Sequence, residues 1–197
     1  MIILGLTGSI GMGKTSTAAC FRKLGVPVWD ADEAVHKLYA MGGAAVEPIA
    51  SLCPMAVVNN AVDRGVLRAW LGKNPAAFQK LEEIVHPLVQ GDRLAFIRNH
   101  RKKGTPLIVL DIPLLFETGA DSHCDFTLVV TTDREEQRRR VLARPGMNNA
   151  DFERLDARQM PDAKKRSRAT HVIETHSKDQ TQEEVAALIR ELVEKRG

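Results

Sequence analysis

At 197 residues, with 44% hydrophobic and 27% charged side chains, the chain has material for one core of ordinary size. A formal charge of +3 is too slight to argue for nucleic acid, although clustered arginines can still meet small anions. Cys20, Cys53 and Cys124 are far apart and form no C-x-x-C pair, which reads as reduced thiols. The apolar start "IILGL" is far too short for a membrane span and lacks the marks of a signal peptide, so a soluble cytoplasmic protein is expected.

"IILGLT" (2–7) is a bulky apolar run with the pattern of a buried parallel strand. A helix follows from Gly13 or Lys14 to Leu24, with Gly25 placed to cap its end. "VPVWD" (26–30) reads as a second strand, with Asp30 and Asp32 just past its carboxyl end. Helical patterns cover Glu33–Met41, Pro75–Val85 and Val89–Arg101, the last two separated at His86 and Pro87, because a residue before proline is biased away from helix. "TPLIVLDIP" (105–113) and "FTLVVTT" (126–132) are buried-strand patterns, and "THVIE" (170–174) is a weaker one. Helices are predicted over Arg134–Arg144 and Thr181–Lys195. Strand alternating with helix predicts an α/β fold with a mainly parallel sheet covered on both faces. Residues 33–104 hold more helix than one crossover needs, and 134–168 are dense in arginine and lysine around the break "RPGMNN". Both read as insertions over the carboxyl edge of the sheet, where open α/β sheets bind ligands.

Between the first strand and its helix, Gly8, Gly13, Lys14 and Thr15 give the spacing G-x-x-x-x-G-K-[ST]. Glycines let successive backbone N–H groups turn toward phosphate oxygens, and the helix presents its positive end to the same anion. Lys14 can reach β- and γ-phosphates, and the Thr15 hydroxyl can ligate Mg²⁺. A nucleoside triphosphate is the expected ligand, on a P-loop NTPase-type parallel sheet sandwiched by helices. A switch GTPase would need an N-K-x-D element, and "HSKD" (176–179) lacks the asparagine. Small chains of this kind with a basic insertion are more often kinases of small molecules, a step that rests on fold analogy.

Two readings fit Asp32: a carboxylate that orients an acceptor hydroxyl and takes its proton, or a cap for the helix from Glu33. Asp111, ending a buried strand, reads either as a Mg²⁺ holder through water or as a turn former. Arg140 and Arg144 stand four apart on one helical face, as do Lys164 and Arg168; such faces close on phosphate or simply stay wet. Pro113, Leu114 and Leu115 read as a substrate wall or as core, with core favoured for any one of them.

Together, "LTGSIGMGKT", "DAD" (30–32), "VDR" (62–64), "HPLV" (86–89), "LDIPLLFE" (110–117), "QRRRVLAR" and "RQMPDAKKRSRA" (158–169) resemble the dephospho-CoA kinase family, in its order and over roughly the whole chain. The resemblance implies ATP-dependent phosphorylation of the ribose 3′-hydroxyl of dephospho-CoA, with Mg²⁺ as cofactor. It implies that Gly8, Gly11, Met12, Gly13, Lys14, Thr15 and Ser16 wrap the ATP phosphates, helped by Arg140 and Arg144. Asp32 matches the family's activating carboxylate, and Arg64, His86, Pro87 and Leu114 match positions around the CoA-type substrate. The implied architecture is one kinase domain: a core of about 1–32, 105–133 and 169–197, a helical substrate-binding insertion of about 33–104, and a lid of about 134–168. Expected partners are ATP and dephospho-CoA, without nucleic acid or membrane, in a monomer or weak homo-oligomer. The chain departs from the family pattern at Thr170 and Thr175, where aspartate and asparagine are usual, at the lid proline of "RPGMNN", and over 42–61.

Overall fold

The computed structural model describes residues 1–194. In chain order the elements are β1 (Ile2–Thr7), α1 (Lys14–Lys23), β2 (Val28–Asp30), α2 (Ala31–Tyr39), α3 (Val46–Leu52), β3 (Val57–Val58), β4 (Ala61–Val62), α4 (Arg64–Lys73), α5 (Ala77–Lys102), β5 (Leu107–Asp111), β6 (Phe126–Thr131), α6 (Arg134–Leu142), α7 (Asn149–Asp156), α8 (Asp162–Arg168), β7 (His171–Glu174) and α9 (Lys178–Glu194). They form two compact units: Met1–Trp29 with the chain from His100 onward, and Asp30–Asn99.

The larger unit is built on a sheet of order β2-β5-β1-β6-β7. β1 pairs in parallel with β5 and β6, and β6 with β7. β1 is buried along its whole length because both of its faces are covered, which is why the sequence reads as an unbroken apolar run. Alternation divides those faces. Ile2, Leu4, Leu6, Leu107, Val109, Leu128 and Val130 join Ala18 and Phe21 of α1 and Val185, Leu188 and Leu192 of α9 in one core. On the other face Thr131 donates to Asp162 of α8, and Thr7 to the Pro113 carbonyl. The chain leaves β1 toward β5 and β2 on one side and β6 and β7 on the other, so the topological switch lies at the end of β1. α1 closes as the sequence predicts: Gly25 adopts φ +80°, and Val26 N–H returns to the Phe21 carbonyl.

The second unit packs Tyr39, Val46, Ile49, Cys53, Val62, Leu67, Leu81 and Val85 into its own core. Its β3–β4 hairpin turns through Asn59 and Asn60, both at positive φ, which asparagine tolerates better than other side chains. The break expected at His86–Pro87 is absent: α5 runs through Pro87 as one helix of 26 residues. An interior proline costs about 3 kcal/mol. Here Pro87 and Glu83, whose carbonyl loses its helical donor, are exposed, while Leu81 and Val85 are buried and Ile84 and Leu88 pack beside them. Burial of that stripe, at about 1.5–3 kcal/mol per large side chain, outweighs the missing bond.

Residues 134–168 also differ from expectation. Three short helices stand where two pieces were expected, and α6 stops at Leu142, so Arg144 lies beyond the helix. The far end expected for the last helix, Lys195, falls outside the described residues.

Candidate active site

The loop from Gly8 to Gly13 joins β1 to α1 at the switch point. Gly11 and Gly13 hold φ of +79° and +94°, a region that side chains rarely enter. There is no room for one either: a Cβ on Gly13 would lie 2.8 Å from Thr175 Oγ1, and one on Gly11 2.8 Å from the Gln137 carbonyl. Met12 turns its N–H to the Ser9 carbonyl and buries its side chain, whose sulfur accepts from Thr132 N–H. The N–H groups of Gly11, Gly13, Lys14, Thr15 and Ser16 have no acceptor among the described residues. Five donors gathered at a helix start form a concavity of positive potential suited to an anion.

Lys14 Nζ donates to Asp111 Oδ1 at 2.7 Å, and that carboxylate is almost wholly buried. The parallel register of β1 with β5 brings the two together, because Leu6 stands opposite Asp111. Thr15 and Ser16 lie exposed on the first turn of α1.

Arg140 reaches the same place from α6. Its guanidinium donates to Glu136 at 2.7 Å, to Thr175 Oγ1 at 2.8 Å and to the Thr175 carbonyl. Thr175 in turn donates to the Met12 carbonyl at 2.9 Å. Thr175 is thus a link between Arg140 and the phosphate loop. Hydrogen bonds from Arg139 and Arg140 hold the Glu136 carboxyl down at about 2, so it stays ionised and keeps both arginines aimed. Arg144 is exposed just past the helix and does not share the face of Arg140 as the sequence reading had it. Of the pair Lys164 and Arg168, Lys164 is exposed and Arg168 bonds Asp121.

The residues expected on the acceptor side fall in the Asp30–Asn99 unit, apart from Leu114, which is exposed after β5. The cap of α2 is Asp30, which accepts from Asp32 N–H and Glu33 N–H. Asp32 is therefore not the cap, and its carboxylate is exposed on the first turn. Asp63 caps α4 in the same manner, which leaves Arg64 exposed at its start. Burial raises the Tyr39 hydroxyl above its ordinary range, and the charge of Arg64 partly offsets this. His86 and Pro87 are exposed on α5.

Sequence reasoning gave no role to four side chains that tie the phosphate loop and α8 in place. Gln137 and Gln159 bond Ile10 of the phosphate loop. Lys165 is fully buried on α8 and bonds Glu117 at 3.0 Å. Burial pushes Glu117 upward, and the Met160 N–H and the Lys165 ammonium together outweigh it, leaving its carboxyl below the ordinary range. The available signal was the segment "RQMPDAKK", recognisable as a pattern but without any spacing rule that says which of its cations is inside.

A ring of unsatisfied N–H groups beside a lysine, at the switch point of a parallel sheet, has a well-known use in binding nucleoside triphosphates, and this fold is that of the P-loop kinases. A family model for CoaE, dephospho-CoA kinase, matches residues 2–181. A dephospho-CoA kinase of Jannaschia sp. is 60% identical over 97% of this chain and 97% of its own length. Among solved structures, TT1252 from Thermus thermophilus is 36% identical with a TM-score of 0.82, covering 97% of each chain. A dephospho-CoA kinase from Campylobacter jejuni, 21% identical over 96% of each chain with a TM-score of 0.68, shares the fold. The chain belongs to the dephospho-CoA kinase family.

Proposed function

We infer that the chain transfers the γ-phosphoryl group of ATP to the ribose 3′-hydroxyl of dephospho-CoA, giving coenzyme A and ADP in the last step of coenzyme A synthesis. The observation that carries this reading is the family match over nearly the whole chain, phosphate loop included. In the in-line step the bond between the γ-phosphorus and the β/γ bridging oxygen breaks as the ribose oxygen bonds to phosphorus. Asp32 orients the hydroxyl and takes its proton. Its release from capping duty, which Asp30 performs, supports that role. Gly8 and the N–H groups of Gly11, Gly13, Lys14, Thr15 and Ser16 hold the phosphates, Met12 serves by closing the turn onto the Ser9 carbonyl, and Lys14 and Arg140 offset charge on the equatorial oxygens.

Thr15 and Asp111 offer hydroxyl and carboxylate oxygens, the hard donors that Mg²⁺ takes. Those two residues would hold the ion, Asp111 through water, and it would draw charge toward the β/γ bridge. Among the described residues no cluster of three or more His, Cys, Asp or Glu forms a protein cage for a metal. A Mg²⁺ that shares its ligands with phosphates needs none. Residues 33–104 serve as the substrate-binding insertion, through Arg64, His86 and Pro87, and Leu114 adds an apolar contact. Residues 134–168 act as the lid, bringing Arg144 to the phosphates and excluding water that would otherwise hydrolyse ATP. The enzyme works in the cytoplasm as a monomer or weak homo-oligomer; no helix among the described residues is long and apolar enough to cross a membrane.

An ATP-consumption assay tests the reading. Dephospho-CoA is expected to support turnover far above that with nucleosides or nucleoside monophosphates. Equal rates with those acceptors would make the chain a nucleotide kinase, and ATP binding without any phosphorylated product would make it a nucleotide-dependent regulator.

A further inference from the structure

Ile10, at the tip of the phosphate loop, has both backbone groups held by side chains from far along the sequence. Its N–H donates to Gln159 Oε1 at 2.9 Å, and its carbonyl accepts from Gln137 Nε2 at 2.9 Å. These two bonds orient consecutive peptide planes. In a trans peptide the N–H and C=O point opposite ways, so fixing one aims the other. Gln159 fixes the Ser9–Ile10 plane, whose carbonyl receives the Met12 N–H that closes the loop's turn. Gln137 fixes the Ile10–Gly11 plane, whose N–H is one of the five donors offered to an anion. Gly11 next to this pair has no Cβ to restrain its torsions, so the restraint has to come from outside.

The two anchors differ in burial and in the element that carries them. Gln137 is 1% exposed within α6, accepts from Arg134 at 2.9 Å and also donates to Asp156. Gln159 is half-buried on the connection between α7 and α8. Both glutamines line one cavity of about 700 Å³, together with Thr132, Asp133, Asp156 and Asp162. Gln159 therefore stands where α7 and α8 place it, whereas Gln137 is fixed by its own helix.

We propose that Gln159 is a positioning residue for ATP: it latches the tip of the phosphate loop, so the loop holds its anion-receiving shape only while the α7–α8 connection is docked. ATP affinity then depends on the lid's far root as well as on the residues that touch phosphate. The proposal rests on the nucleotide-binding reading above, and Gln137 is the fixed half of the same clamp.

The test uses the full chain with ATP, by calorimetric titration and by steady-state kinetics with dephospho-CoA. Gln159→Met keeps the shape and removes the acceptor; ATP dissociation constant and KM are expected to rise about fivefold, the worth of one net hydrogen bond, with kcat retained at saturating ATP. Gln159→Glu keeps an acceptor for the Ile10 N–H and is expected to bind within about twofold of wild type. At Gln137 the needed group is a donor, so Met and Glu are both expected to weaken binding. A Gln159→Met variant that melts like wild type and binds ATP unchanged would overturn the latch, as would equal behaviour of Met and Glu at position 159. Should the buried Gln137 variants fail to fold, the Gln159 pair decides alone. Absence of ATP binding by the wild-type chain would instead remove the nucleotide reading itself.

Discussion

The ammonium of Lys14 lies 2.7 Å from Oδ1 of Asp111, a carboxylate with 1% exposure. Lys14, proposed above to bind phosphate, is thus also a cation that helps make a buried charge tolerable at the end of β5. Removing one member of a buried pair leaves the other charged in a poor solvent, at a cost of about 3–5 kcal/mol. Lys14→Met is therefore expected to lower the urea midpoint as well as turnover, and ATP should no longer raise its melting temperature. A variant inactive but as stable as wild type would mean that Asp111 does not depend on this lysine.

Asp30 takes the capping duty that sequence spacing had offered to Asp32. Asp30 accepts from two N–H groups at the start of α2, and losing such a cap costs about 1 kcal/mol. Asp30→Ala is expected to show that loss in urea unfolding, while Asp32→Asn leaves the midpoint unchanged. In activity, Asp32→Asn should retain ATP affinity and lose about 10²–10⁴ in kcat, the usual worth of a positioned base. A near-normal rate for Asp32→Asn would remove the base role.

What the sequence disclosed and what it hid follow from physical range. The sheet was legible because β1, β5 and β6 carry unbroken or nearly unbroken apolar runs, and the phosphate loop because its requirement for glycine is local. The α5 break failed because a one-residue rule about proline ignores a buried stripe of four apolar side chains beside it. Arg144 left the face of Arg140 because α6 ends two residues short of it. Lys165 was passed over for Lys164 since periodicity along one short helix cannot tell which cation meets Glu117, 48 positions earlier in the sequence. The glutamines at Ile10 were hidden for the same reason: each pairs across more than a hundred residues.

Thr175 joins Arg140 to the loop through one hydroxyl, which accepts from the guanidinium and donates to the Met12 carbonyl. Thr175→Val keeps the volume and deletes both bonds. At about 1 kcal/mol for each net hydrogen bond, a stability loss of about 1–2 kcal/mol and a several-fold weaker ATP affinity are expected. Thr175→Ser, which retains the hydroxyl, should restore most of the affinity. If serine binds no better than valine, packing of the methyl group against Gly13 is what matters there.

Glu117 and Lys165 give the anchoring of α8 its dependence on acid. The folded state holds the Glu117 carboxyl below its ordinary value of 4.5, since the Met160 N–H and Lys165 outweigh the opposing effect of burial. A depressed carboxyl contributes stability that is complete above the unfolded value and fades as pH falls through the folded one. The contribution is therefore present at neutral pH and lost in the range below about 4.5. Glu117→Gln removes the carboxylate and strands an ammonium that is fully buried, at a cost of about 3–5 kcal/mol at neutral pH. Lys165→Met costs less, about 1 kcal/mol, because Glu117 still accepts from Met160 N–H and reaches water. Urea midpoints measured at neutral and acid pH check both statements. Wild type should lose stability on acidification faster than Glu117→Gln, and Glu117→Gln should be the weaker variant at neutral pH. A reversed order of the two variants would show that Lys165 stays solvated in solution and that α8 is held by its apolar contacts alone.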